Sequence, residues 1–207
     1  KDAIINLLKE GVERKKIKFV GNIMIDNIVN NKNVIAHNNI LKKLLINKRD
    51  YCFLTLHRPE NVDTINELKK LLIIINKISS QILIIFPIHP RTRQAFAIKR
   101  LNINDLINNC IITKPLNYIE TQKLIKNAKF VITDSGGIQE ETSFYNTPCL
   151  TYRKNTERPI TITHGTNILV SKNNILKNVE KLLYKKSFKK KKITYWDGKT
   201  SSRIKIE

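Results

Sequence analysis

The 207-residue chain is long enough for one large domain or two small ones, and its 41% hydrophobic content can bury a core. A formal charge of +21 ordinarily points to nucleic acid or an anionic membrane surface. Here 29 of the 38 basic residues are lysines spread among Asn and Ile along the whole chain, which reads as compositional bias and argues against a nucleic-acid or membrane partner. No apolar stretch reaches the roughly 18 to 20 residues of a membrane span. Cys52, Cys110 and Cys149 are odd in number and far apart, as expected of buried free thiols in a cytoplasmic protein. The chain starts without Met and without a signal-peptide layout, and is read as a fragment.

In chain order, short apolar runs predict strands at 17–20, 52–56, 82–86, 110–113, 130–133, 149–152 and 168–170. Amphipathic patterns between them predict helices at 61–77, 92–99, 118–126, 138–144 and 173–184. Apolar strands that alternate with helices imply an α/β domain with a doubly wound parallel sheet covered on both faces. Ligands of such sheets bind at the carboxyl ends of the strands. The unusual residues collect there: His57-Arg58-Pro59-Glu60, Pro87 to Arg91, Lys114-Pro115-Leu116, Ser135-Gly136-Gly137 and Arg153 to Arg158 each follow a predicted strand. The basic run 185–192 reads as a solvated loop ahead of Tyr195-Trp196-Asp197-Gly198.

The stretch TDSGGIQEET (133–142) has the form of a strand-to-helix turn. Ser135, Gly136 and Gly137 would leave backbone N–H groups open to a phosphate at the positive end of the following helix, although glycine pairs also serve plain turns. Glu141, about one turn on, suits a ribose diol or a simple helix-start charge. His57 at a strand end is a candidate acid, base or phosphate contact; His89 reads as a second contact or a loop brace. Arginines kept against a lysine-rich background suggest a need for the planar fork that grips phosphate or carboxylate, which makes Arg58, Arg91, Arg93, Arg153 and Arg158 candidates. No zinc-type histidine spacing, Cys-x-x-Cys, Walker loop or dinucleotide glycine motif occurs, so neither a metal site nor a cofactor is expected.

The motifs TLHRPENVD (55–63), FPIHPRT (86–92), KPLNYIE (114–120), TDSGGIQEET (133–142), RKNTERPITITHGTN (153–167) and YWDGKTSSRI (195–204) together resemble the non-hydrolysing UDP-N-acetylglucosamine 2-epimerases, in order and from VGNIMID (20–26) almost to the end. The resemblance implies the C-terminal, Rossmann-like half of a GT-B-type two-domain isomerase. It divides the chain into 1–18 (the end of a missing N-terminal domain, or a hinge), 19–185 (the UDP-binding domain) and 186–207 (a basic loop and a helical segment). It implies His57 as the catalytic histidine, Ser135, Gly136 and Gly137 at the diphosphate with Arg158, Glu141 on the ribose, and Leu116 and Thr121 at the uracil. Arg58, His89 and Arg91 remain further candidates. UDP-N-acetylglucosamine and UDP are the implied ligands, the missing N-terminal domain and a second copy of the full-length protein the implied partners, and elimination and re-addition of UDP the implied chemistry. Ile160 stands where many members carry Glu, and Ser171 where Gly is frequent, which leaves open a related UDP-2-acetamido sugar or a UDP-sugar-binding module without epimerase activity. The acidic catalytic residues of the family's N-terminal domain have no counterpart here, so the chain alone is expected to be inactive.

Overall fold

The structure, a computed structural model, describes residues 2–99, 107–184 and 191–206. Among these, four helices come first: α1 (Asp2–Lys9), α2 (Ile23–Asn30), α3 (Lys32–His37) and α4 (Ile40–Lys43). Strands and helices then alternate as β1 (Tyr51–Thr55), α5 (Pro59–Val62), α6 (Ile65–Ser79), β2 (Leu83–Pro87), α7 (Pro90–Ile98), β3 (Cys110–Thr113), α8 (Tyr118–Asn127), β4 (Phe130–Thr133), α9 (Gly136–Tyr145), β5 (Cys149–Tyr152), α10 (Pro159–Thr163), β6 (Asn167–Val170) and α11 (Ile175–Tyr184). A last helix, α12 (Thr200–Ile206), follows.

The described strands form one sheet in the order β3-β2-β1-β4-β5-β6, and every neighbouring pair is parallel. The doubly wound expectation holds. Alternate strand residues point to opposite faces, so Cys52, Leu54, Phe86, Phe130 and Ile132 meet α6, α7 and α11 on one side. Tyr51, Phe53, Ile85 and Val131 meet α4 and α8 on the other. Each fully buried side chain of this size contributes roughly 1.5–3 kcal/mol. The register pairs Thr55 with Thr133, so β1 and β4 end level with each other. Between them the strand order reverses, which is where a doubly wound sheet opens a crevice for a ligand.

Local chemistry sets the helix starts. Pro occupies the first turn of α5, α7 and α10, where its missing N–H costs nothing. Asn117 and Glu120 close a capping box on α8.

Three expectations need correction. Residues 17–20 are not a strand: Arg14 donates to the Ile17 carbonyl and Arg203 to that of Val20, and the sheet edges are β3 and β6. Side chains thus satisfy the backbone that a neighbouring strand would have paired. The single helix expected over 61–77 is two, since the Thr64 side chain accepts from the Glu67 N–H and starts α6 afresh. The helices α2, α3 and α4 lie in a stretch where no helix is expected from the pattern. The basic run falls largely on 185–190, outside the described residues, whereas Lys191 and Lys192 are exposed. No described helix is long and apolar enough to cross a membrane. The three cysteines are free, with Cys52 and Cys149 buried and Cys110 partly so.

Candidate functional site

Asp134 directly follows β4 and is wholly buried at the crevice. Its carboxylate accepts from the His57 N–H (3.0 Å), the Arg58 N–H (2.8 Å) and the Asn61 side chain (2.9 Å), so it ties the loop after β1 to the end of β4. Burial alone would raise its pKa, but these donors and the His57 ring outweigh burial and hold it below the ordinary value. Nδ1 of His57 lies 3.0 Å from Oδ1 of Asp134, close enough for an ion pair but off the line a hydrogen bond needs. The imidazole is one-third exposed and faces the crevice rim.

The ring of His89 lies 4.9 Å from that of His57, between centroids. Its Nδ1 accepts from the Arg91 N–H and caps α7, which is the loop-brace role. Burial, then the neighbouring His57, lowers its pKa. Arg91 pairs with both oxygens of Asp63, at 3.0 and 2.8 Å, and so braces the turn between α5 and α6. The structure does not bring it to the start of α9.

At that start, Ser135 is the N-cap residue and makes no side-chain cap bond, while its own N–H goes to the Thr133 hydroxyl. The first N–H groups of a helix have no partner within it. A Cβ on Gly137 would meet nothing within 4 Å, and one on Gly136 would meet only a Glu157 oxygen, at 3.8 Å. Internal packing therefore does not demand the two glycines; they leave open space above a positive helix end, where an oxyanion fits.

Glu141 sits on the inner side of α9 and is 6% exposed, so it is more than a helix-start charge. Burial pushes its carboxyl up to about 7, with the Glu140 charge adding to the rise and the adjacent Gln122 amide opposing it. Glu140 accepts from Asn22 (2.9 Å) and lies 3.3 Å from Nε of Arg158. Arg158 therefore faces Glu140, along a cleft of about 560 Å³ that also takes in Ile23, Met24, Ile160 and Trp196. Leu116, in the loop after β3, packs on the α8 side of the core, and Thr121 is half-buried in the first turn of α8.

Three residues of this rim escape the sequence reading: Asp134, Asn61 and Glu157. Asp134 carried a readable signal, an acid between a continuous apolar strand and a glycine pair. Nothing in the pattern separated Asn61 and Glu157 from their neighbours.

The family model described as UDP-N-acetylglucosamine 2-epimerase matches residues 1–206. A UDP-N-acetylglucosamine 2-epimerase of Methanococcus maripaludis is 45% identical over 196 residues, which is 88% of this chain and 52% of the relative. A UDP-2,3-diacetamido-2,3-dideoxy-D-glucuronate 2-epimerase of Pseudomonas aeruginosa is 35% identical over 171 residues, 81% of this chain and 46% of the relative. The crystal structure of the Methanocaldococcus jannaschii UDP-GlcNAc 2-epimerase, in complex with UDP-GlcNAc and UDP, superposes with a TM-score of 0.82 at 40% identity, over 97% of this chain and 57% of that one. The chain thus spans about half the length of the curated relatives it matches. With the fold, the order of motifs and the family model in agreement over nearly every residue, the chain belongs to the UDP-N-acetylglucosamine 2-epimerase family.

Proposed function

We propose that the chain is the nucleotide-binding half of an enzyme that interconverts UDP-N-acetylglucosamine and its C2 epimer. The observation that carries this reading is the crevice between β1 and β4, where the start of α9, capped by no side chain, stands beside a histidine held by a buried carboxylate. In the reaction a base removes the C2 proton while UDP leaves C1, giving a glycal. UDP then returns to C1 as C2 takes a proton on the opposite face. The N–H groups of Gly136 and Gly137, the Ser135 hydroxyl and Arg158 receive the diphosphate, whose charge grows as the C1–O bond breaks. A donor so placed is commonly worth about 3 kcal/mol of barrier. Glu141 accepts from the ribose diol, Leu116 and Thr121 border the uracil, and His57 serves the reacting sugar, oriented by Asp134.

On this reading residues 1–18 lead in from an N-terminal domain, 19–185 bind UDP and 186–207 close the domain. The remaining acid and base groups belong to that other domain, so the chain alone is inactive, and the complete protein works in the cytoplasm as a homodimer. A second reading, epimerisation of a related UDP-2-acetamido sugar, draws on the Pseudomonas relative and on Ile160 in the Arg158 cleft.

Calorimetric titration with UDP tests the site. Arg158→Ala should weaken UDP binding by more than Lys191→Ala, because Arg158 stands beside Glu140 of α9 whereas Lys191 does not line that cleft. Equal losses would remove the diphosphate assignment.

A further inference from the structure

Three arginines stand near the start of α9, and in the free protein the chain's own carboxylates occupy all of them. Arg158 faces Glu140. Arg58, whose Nε donates to the Asp134 carbonyl, reaches Oε1 of Glu157 with Nη2 at 3.2 Å. Arg153, its side chain largely buried, grips the other Glu157 oxygen through Nη1. The same Oε1 is the atom that a Cβ on Gly136 would meet at 3.8 Å, so the carboxylate borders the first turn of α9.

We propose that Glu157 fills, in the free protein, the seat of a ligand oxyanion, and yields Arg58 and Arg153 to the diphosphate when nucleotide binds. This rests on the reading of α9 as the diphosphate site, and adds Arg153 as a ligand contact and Glu157 as the group displaced. Three features support exchange over a fixed brace. Glu157 is charged at every working pH: its own backbone N–H, then Arg153 and Arg58, hold its pKa down to about 2. Its side chain is half-exposed, and a pair of that kind does little to hold a guanidinium in place. A second anion brought to the same donors, by contrast, meets the repulsion of the carboxylate at short range.

The loop is also built to release it. Thr156 donates to the Gln139 side chain at 2.6 Å and accepts from the Arg158 N–H at 2.9 Å, so segment 153–158 is tied to α9 by its neighbours. Glu157 can therefore swing outward while the loop stays anchored. The Arg153 guanidinium, being largely buried, then depends on the incoming anion for its neutralisation.

The test is calorimetric titration of the full 207-residue chain and of Glu157→Gln with UDP, inorganic pyrophosphate and uridine. Removing the competing charge should tighten UDP and pyrophosphate about five- to tenfold and leave uridine unchanged. Adding Arg153→Met to Glu157→Gln should abolish that gain. Should Glu157→Gln melt early by circular dichroism, Arg153→Met alone answers the same question: weaker pyrophosphate binding supports the exchange and unchanged binding overturns it. If the parent chain binds UDP but Glu157→Gln binds it equally or more weakly, Glu157 is a brace and the exchange is wrong while the diphosphate site stands. If neither protein binds UDP or pyrophosphate, both readings fall.

Discussion

Asp134 organises the site from a position without solvent, and its loss should register as lost stability before lost binding. An amide in its place has one acceptor oxygen for three donors and sets its own N–H groups against some of them. Asp134→Asn is expected to cost about 3 kcal/mol, read from urea unfolding followed by far-UV circular dichroism. Glu141 is the opposite case, a carboxyl whose folded pKa is raised, from 4.5 to about 7. Between those values the folded chain keeps a proton that the unfolded chain has released, so stability falls as pH rises through that window and levels off above it. The full shift corresponds to about 3 kcal/mol. Glu141→Gln should flatten the pH profile of thermal stability and raise stability above pH 7; an unchanged slope would show that another group titrates. If Glu141 holds the ribose diol as proposed, UDP binding should strengthen with pH over the same range and release protons, measurable in buffers of different ionisation enthalpy, because the diol needs the carboxylate form. His57 stood out because residue type and strand-end position coincide, and Glu141 because it follows a glycine pair at a helix start. The value of Glu141 comes from burial, which no spacing of residues encodes.

At the scale of elements, a helix glycine and a loop glycine carry different requirements. Gly137→Ala should leave stability within about 0.5 kcal/mol, since the new methyl meets open space in a helix, yet weaken UDP binding if that space receives the diphosphate as proposed. Gly165→Ala puts a methyl onto the Ser143 side chain and 2.5 Å from the Thr161 carbonyl, and should cost about 1–3 kcal/mol with no specific effect on nucleotide. Paired measurements of melting and UDP affinity separate the two effects. Helix α12 poses a different problem: Asp26 of α2 receives the N–H groups of Thr200 and Ser201 at 3.0 and 2.7 Å, and Arg203 reaches back to Val20. Asp26→Ala should remove this cap, cost about 1 kcal/mol and raise amide hydrogen exchange in 200–206 ahead of the sheet. The same contacts explain why residues 17–20 misread as a strand. Their apolar run is real, but the Val20 carbonyl is satisfied by a guanidinium more than a hundred residues on, where local pattern has no reach.

For the whole molecule, the division of chemistry makes the sharpest test. On the proposed function the chain presents groups for the leaving diphosphate and one histidine, whereas epimerisation also needs an acid and a base on either face of C2. Incubated with UDP-N-acetylglucosamine in heavy water, the 207-residue chain should show neither C2 proton exchange nor epimer by NMR. Joined to the N-terminal half of a relative, it should recover exchange, and His57→Asn should then reduce it. Exchange by the chain alone would place the missing groups within it.

The sequence by itself determined the alternation of strands and helices, because continuous apolar runs and amphipathic periods record which surfaces must leave water. It also determined the residues at the strand ends, because a parallel sheet with crossover helices sends every such loop to one rim. Only the tertiary structure decided that β1 lies beside β4, since neighbours in a parallel sheet are chosen by the packing of both faces and not by chain order. That choice set the Asp134 carboxylate under His57. It also turned Arg58 and Arg153 toward Glu157 and Arg158 toward Glu140, because a long charged side chain takes its direction from whichever opposite charge the fold brings within reach.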